Sequence, residues 1–259
     1  MAIDAIVRRI VPLVARQQWR RQMRGLQRRY HLQAVPVGTL DFGDLRRLTP
    51  ISDHFGTDRG TPVDRYYIET FLAARASDIA GRVLEAGDDR YIKTFGGDRV
   101  TRADVLDVRA DGPNATVVAD LTCADHVAAD SFDCIVLTQT LQMIYDARAA
   151  LGHIHRILKP GGVFLMTYSG ISKICRREGR DDWGEYWHFT TQSIGRLFDE
   201  TFPAAQVEIV PYGNALSATA SLFGLAAEEL TPEELDHSDP DFEVLVGVRA
   251  VKAGPAASR

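Results

Sequence analysis
In residues 81–97, GRVLEAGDDRYIKTFGG, a short strand-like run ends in Glu85-Ala86-Gly87. An acid two residues before a glycine, at the close of such a run, is how the first strand of a nucleotide-binding α/β domain meets its ligand. A loop that cradles phosphates needs several glycines, so that backbone amides can converge on the anion. Here Asp88, Asp89, Arg90 and Tyr91 stand where those glycines would be, and the stretch fails as a dinucleotide fingerprint. Other chemistries find no support in residue type or spacing. Cys123, Cys134 and Cys175 show no CxxC spacing. They predict a reducing, cytoplasmic compartment with neither a disulfide frame nor a zinc site. No set of carboxylates and histidines reads as a metal site, and there is no Gly-x-Ser-x-Gly elbow or catalytic-cysteine context.

The chain of 259 residues is long enough to bury a real core, and 45% hydrophobic with 25% charged residues is a soluble, globular composition. A net charge of −5 argues against a general nucleic-acid binder. No apolar stretch approaches the roughly 20 residues of a membrane span, so stable membrane insertion is not expected. Basic charge rests on 26 Arg against 4 Lys, which reads as genome composition bias. The amino-terminal stretch departs from the average: Met1 to Tyr30 hold eight arginines and one acid, Asp4. Ile3, Ile6, Val7, Ile10 and Val14 recur at helical spacing until Pro12 would kink or end the first helix. Three readings stay open: a packing or solvated helix with a linker, a basic amphipathic helix touching an anionic membrane or a partner, and a targeting peptide. The last lacks a small-residue cleavage site.

Elements that could position Glu85 and Gly87 follow from periodicity. Thr61-Pro62 with Asp64 begins a helix whose face is Tyr67, Ile68, Phe71 and Leu72. From Gly81 the pattern predicts alternating strands and helices. Strands are expected over residues 82–86, 100–105, 116–118, 132–137, 163–167, 207–210 and 242–251. The run at 132–137, apolar apart from Asp133, should be buried on both faces. Helices are expected over 146–158, stopped by Lys159-Pro160-Gly161-Gly162, and over 190–199. The pattern predicts a Rossmann-like, doubly wound, mainly parallel sheet of seven strands with helices on both faces. Residues 1–50 form a basic helical extension and linker, 51–253 the main domain, and 254–259 a disordered tail. A helical insertion is expected at about 213–240, because the gap before the last strand is too long for a plain loop. Its apolar run, residues 215–225, suits either a lid or an interface, and a homodimer stays open.

Residues 132–168, FDCIVLTQTLQMIYDARAALGHIHRILKPGGVFLMTY, resemble the fourth strand, following helix and fifth strand of class I S-adenosylmethionine (SAM) methyltransferases. The turn from His155 to Gly162 resembles a specific marker of that superfamily. Glu85-x-Gly87 resembles its first motif, Asp120-Leu121 its adenine-recognition segment, and Trp187-His188-Phe189-Thr190 its W-x-F-T lead-in to the next helix. The likeness covers roughly residues 53–251. Residues 55–67 and the VLEAGDDRY start are like a bacterial subgroup associated with glycosyltransferases and glycoconjugate biosynthesis.

The resemblance implies SAM as cofactor and a set of roles. SAM carries no phosphate, so Glu85, Ala86 and Gly87 could suffice for a methionine tail, with Glu85 facing its ammonium. A carboxylate at the end of the second strand would take both ribose hydroxyls. Asp104 is favoured on spacing, and Asp107 is its rival if the strand runs longer. Asp120 would accept from the adenine amine while the Leu121 amide donates to the ring. Thr138 and Gln139 would face the cofactor from the fourth strand. His188 is the candidate general base, against a packing role; His153 and His155 read as solvated or capping. Asp58 and the substrate-side residues His54, Arg59, Tyr66 and Tyr67 could wall the acceptor pocket, and Trp183, Tyr186 and Trp187 could stack on a sugar or aromatic acceptor. The implied activity is methyl transfer to a small-molecule or glycan-type substrate at oxygen. N- or C-methylation and a non-catalytic partner of the same fold remain the alternatives.

Overall fold
The chain is described here from a computed structural model, over residues 13–30, 32, 35–176, 184–202 and 206–254. It divides into two units, Met1–Leu48 and Thr49–Arg259. Within the first, a helix α1 (Leu13–Arg29) is followed by irregular chain and a single 3-10 turn, Gly43–Leu45. Residues 1–12, with Pro12 and all of the predicted apolar repeat but Val14, and the tail from 255 lie outside the described residues.

The second unit is built on one seven-stranded sheet. Its strands are β1 (Gly81–Ala86), β2 (Val100–Asp107), β3 (Val117–Val118), β4 (Phe132–Thr138), β5 (Leu158–Ser169), β6 (Gln206–Tyr212) and β7 (Leu245–Val251). They lie in the order β3-β2-β1-β4-β5-β7-β6. All neighbours are parallel except β7, which runs antiparallel to both β5 and β6. Order reverses between β1 and β4, so the chain leaves a crevice beyond their carboxyl ends.

Alternation along the strands divides the core into two layers. Cys134, Val136 and Val83 face one side, where α2 (Val63–Ala73), α5 (Ala215–Phe223) and α6 (Pro232–Asp236) pack through Tyr67, Phe71, Ala218 and Leu235. Ile135, Leu137 and Leu84 face the other, against Leu151 and Ile154 of α3 (Ala147–Ile157) and Ile194 and Phe198 of α4 (Thr191–Thr201). The helix starts follow local chemistry. Asp146 accepts from the Ala149 amide at 2.9 Å, and Thr190 forms a reciprocal cap with Ser193.

Two expectations need correction. Helices do not alternate with strands before β4: a single π turn, Ile92–Gly96, and a short 3-10 turn lead into β2, and the described residues between β2 and β4 hold turns. The segment is studded with Asp, Gly, Pro and Asn, whose side chains and backbone freedom favour turns over helix. Lys159-Pro160-Gly161-Gly162 follows the end of the helix, as expected, but the fifth strand starts before it, at Leu158, and not at Val163. The four residues belong to β5, with the register to β4 shifting between Phe132 and Cys134. Gly161, at φ +79°, donates to the Lys252 carbonyl, while Lys159 holds both Asp133 oxygens at 2.8 Å.

One contact measures how tightly the first layer closes on the sheet. A Cβ on Gly247 of β7 would sit 2.2 Å from the Phe71 ring of α2. Gly247→Ala should therefore destabilise the domain by about 1–3 kcal/mol. Adding Phe71→Leu should recover part of that loss in urea unfolding, and simple additivity of the two would contradict the packing account.

Candidate functional site
The loop after β1 is held from beneath. Glu85 is buried within the sheet and its two oxygens accept from the amides of Tyr91 (3.1 Å) and Ile92 (2.8 Å). The chain turns at Gly87, φ +85°, whose amide donates to the Leu106 carbonyl at 2.9 Å. A Cβ built on Gly87 meets no atom within 4 Å, so the turn borders open space. The bulky residues that replace the missing glycines point elsewhere. Asp89 pairs with Lys93 at 2.7 Å, and Tyr91 stacks on Phe95 while its hydroxyl accepts from Arg65. Burial, opposed by the two amide donors and aided by Asp88 and Asp89, pushes the Glu85 carboxyl up to about 7.

Beside this loop the acids of β2 and β3 differ sharply. Asp104 pairs with Leu84, three residues short of the end of β2, and its carboxylate is spent on Arg82 (2.7 Å), Arg102 (3.0 Å) and Thr116 (3.1 Å). Burial opposes its ionisation most, yet these donors together hold it below the usual carboxylate range. Asp107 closes β2 at the carboxyl edge, where among the described residues its Oδ1 accepts only from the nearby Arg109 amide at 2.9 Å, with Arg109 Nε at 3.9 Å. Asp120 is exposed just past β3, with Oδ1 accepting from the Thr122 amide and hydroxyl. Leu121 buries its side chain in the core.

At the ends of β4 and β5 several polar atoms lack partners. Gln139, at φ +48° directly after Thr138, donates its amide to the Thr167 carbonyl. Its Oε1 accepts from Gln142 and from Ser169 (3.1 Å), but Gln139 Nε2, Gln142 Oε1 and Thr167 Oγ1 are buried with no partner among the described residues. Exchanging N and O in both amides only moves the vacancies. Gln142 was not singled out by sequence reading, because an interior glutamine after a strand carries no spacing signal.

Residues 184–190 fold over this end. The amides of Tyr186 and Trp187 donate to the Gln142 carbonyl, and Trp187 Nε1 donates to Ile144 and Tyr145. Tyr145, Trp187, Phe189 and Tyr168 form a continuous aromatic row, with Tyr186 edge-on to Tyr145. Tyr186 and Trp187 remain partly open to solvent. His188 lines a cavity of about 380 Å³ with Gly170, Phe189, Thr191 and Glu243 at the end of β5. Its Nε2 lies 3.4 Å from Glu185, a buried carboxylate the sequence reading missed. That strand is two spacings, about 10 Å, from β1.

The other predicted wall residues are placed differently. Arg59 forms a two-pronged pair with Glu229, Tyr66 donates to Asp236 at 2.8 Å, and buried Tyr67 donates to the Leu235 carbonyl at 2.9 Å. All three thus bind the insertion. His54 is exposed in a turn where Ser52 Oγ donates to Asp58 and accepts from the His54 amide. Trp183 lies outside the described residues.

The strand order with a reversed seventh strand, and an acid-x-glycine loop at the crossover, define a class I methyltransferase fold. A family model described as "Methyltransferase domain" matches residues 56–205, more than half of the chain, and the protein belongs to that family. No curated protein matches it significantly. Among solved structures it resembles N-methyltransferase NodS from Bradyrhizobium japonicum, in complex with S-adenosyl-L-homocysteine (18% identity, TM-score 0.48, 78% of this chain and 93% of that one). A SAM-dependent methyltransferase from Thermotoga maritima, described as a possible histamine N-methyltransferase, matches at 16% identity and TM-score 0.48, over 73% and 91% of the two chains. One from Archaeoglobus fulgidus matches at 10% and 0.48, over 73% and 94%.

Because the folded Glu85 carboxyl titrates above its ordinary 4.5, its contribution is fully present below that value and is lost as pH rises through about 7. Melting curves between pH 4.5 and 8 should show this decline in the wild type, by about 3 kcal/mol at most, and a flatter profile in Glu85→Gln. Parallel profiles would remove the buried-acid account.

Proposed function
We propose that the protein is a SAM-dependent methyltransferase that methylates a hydroxyl of a small-molecule or glycan-type acceptor, in glycoconjugate or secondary-metabolite biosynthesis. The observation that carries this reading is the open face of Gly87 at the same sheet edge as the unpartnered atoms of Gln139, Gln142 and Thr167. Buried polar groups left without partners are costly, and a polar ligand at that edge would supply them.

Residue roles follow from what each group has free. Glu85 has both oxygens engaged, so it holds the loop, and Ala86 and Gly87 admit a methionine tail to the backbone. Asp107, rather than Asp104, is the carboxylate with capacity for two ribose hydroxyls. Asp120 Oδ2 and the Leu121 amide suit an adenine edge, and Thr138 and Gln139 close the methionine side. When bound, SAM supplies a methyl carbon made electrophilic by its sulfonium. His188, whose Nε2 lies 3.4 Å from a Glu185 oxygen, would take the acceptor's proton at Nδ1, with the Glu185 carboxylate beside it to stabilise the resulting imidazolium. Tyr186 and Trp187 offer a stacking surface for a sugar or aromatic ring, with the buried rings of Phe189 and Tyr168 continuing the row beneath Trp187.

Calorimetry should detect SAM and S-adenosylhomocysteine binding, weakened about tenfold or more by Asp107→Ala, whereas Asp104→Ala should chiefly lower thermal stability. A well-folded protein that takes up neither ligand would instead be a non-catalytic relative. With the acceptor in hand, His188→Ala should lower kcat by about 100-fold or more with cofactor affinity unchanged. Full activity of that variant would point to an amine or carbon acceptor.

A further inference from the structure
We infer that α1 is a peripheral anchor that lays the protein on an anionic phospholipid surface. The helix LVARQQWRRQMRGLQRR carries six arginines and no acid over 17 residues, a length of about 25 Å. Trp19, Met23 and Leu26, with Tyr30 just beyond the helix end, recur at i, i+4, i+7 and i+11, an arc of about 60° at 100° per residue. All four are exposed, Trp19 by 63% and Tyr30 by 60%. Arg16, Arg20, Arg24 and Arg28 fall four apart on the adjoining arc. The described part of this unit has no buried residue, and Val37, Leu40, Phe42 and Leu48 are exposed beyond the helix. Its apolar stripe is therefore uncovered, and its arginine row is a line of like charges that repel at i,i+4 spacing. An anionic interface relieves both at once, by taking the apolar face into the headgroup boundary and neutralising the arginines.

Charge is partitioned to match. Residues 1–48 hold ten arginines and three aspartates, a net +7, while residues 49–259 hold 20 basic and 32 acidic residues, a net −12. The acidic unit is repelled by an anionic surface, so attraction is confined to the extension. A nucleic acid would satisfy the arginines but give Met23 and Leu26 nothing to bury against. A second copy would set one arginine row near another. Tryptophan and tyrosine beside arginine are what a lipid–water boundary favours.

The full-length protein would be co-sedimented with phosphatidylcholine vesicles and with vesicles containing about one-quarter phosphatidylglycerol, at low and at about 0.5 M salt. Binding to the anionic vesicles should exceed binding to neutral ones at least tenfold and fall with salt. Trp19→Ser with Met23→Ser, and separately Arg20→Glu with Arg24→Glu, should each lower the partition coefficient at least tenfold, with the melting temperature unchanged. No binding, equal binding to neutral vesicles, or unchanged binding of either variant would overturn the inference. So would tighter binding to duplex DNA or RNA of matched phosphate concentration, or a dimer in light scattering that the Trp19/Met23 variant dissolves. Failure of SAM binding would leave this result untouched, since the two readings rest on different units.

Discussion
The carboxylate of Glu85 underlies the site's geometry. It lies in the sheet interior, between the pairings of β1 with β2 and β4, and there an unsatisfied anion would be severely penalised. Two amides from the turn that follows the loop satisfy it, and in doing so they bring Tyr91 and Ile92 back over the strand end. A glycine-rich loop achieves this curvature through backbone freedom. Here one glycine suffices because the acid pulls the chain round, and Tyr91 can be bulky because Phe95 and Arg65 take its ring and hydroxyl off the open edge.

The same economy separates the two sides of the domain. On the α2 side, polar groups are spent on structure: Arg59, Tyr66 and Tyr67 tie the 213–240 insertion to the helix before β1, and a bridge joins Pro62 to Ala226. At the ends of β4 and β5 three buried polar groups without partners among the described residues lie together, whereas Arg75 Nε, just after α2, is a single one. Gln139, Gln142 and Thr167 are buried with capacity left over, beside a solvent-facing aromatic row. Fully satisfied polar groups specify a fold, whereas each buried group left unsatisfied calls for its own explanation, and a polar ligand is the one proposed for this edge.

Charge divides the chain along another line. The unit that carries the sheet is acidic and has its apolar residues packed in two layers, whereas the extension is basic and leaves Trp19, Met23, Leu26 and Tyr30 in solvent. A segment of that composition gains little from its own packing and needs an external surface to bury its stripe.

Much of this was legible in residue order alone. The apolar run of β4 reads as a strand buried on both faces, Asp146 and Thr190 announce the helices that follow them, and Glu85-x-Gly87 marks the carboxyl end of β1. These are local signals, set by periodicity, capping chemistry and a glycine at positive φ. Allocation of polar groups was not legible. Spacing favoured Asp104, but a neighbouring strand supplies Arg82 and the chain ahead of β3 supplies Thr116, so its charge is already taken. Tyr66 and Tyr67 look free in a helix until residues 170 and 168 positions away arrive to bind them. Sequence alone determined the strands of the sheet and the capped helices after Asp146 and Thr190, because backbone conformation and burial there answer to nearby residues. Only the tertiary structure decided which acids, amides and hydroxyls remain available, because a hydrogen bond can be spent once and its partner is chosen by the fold.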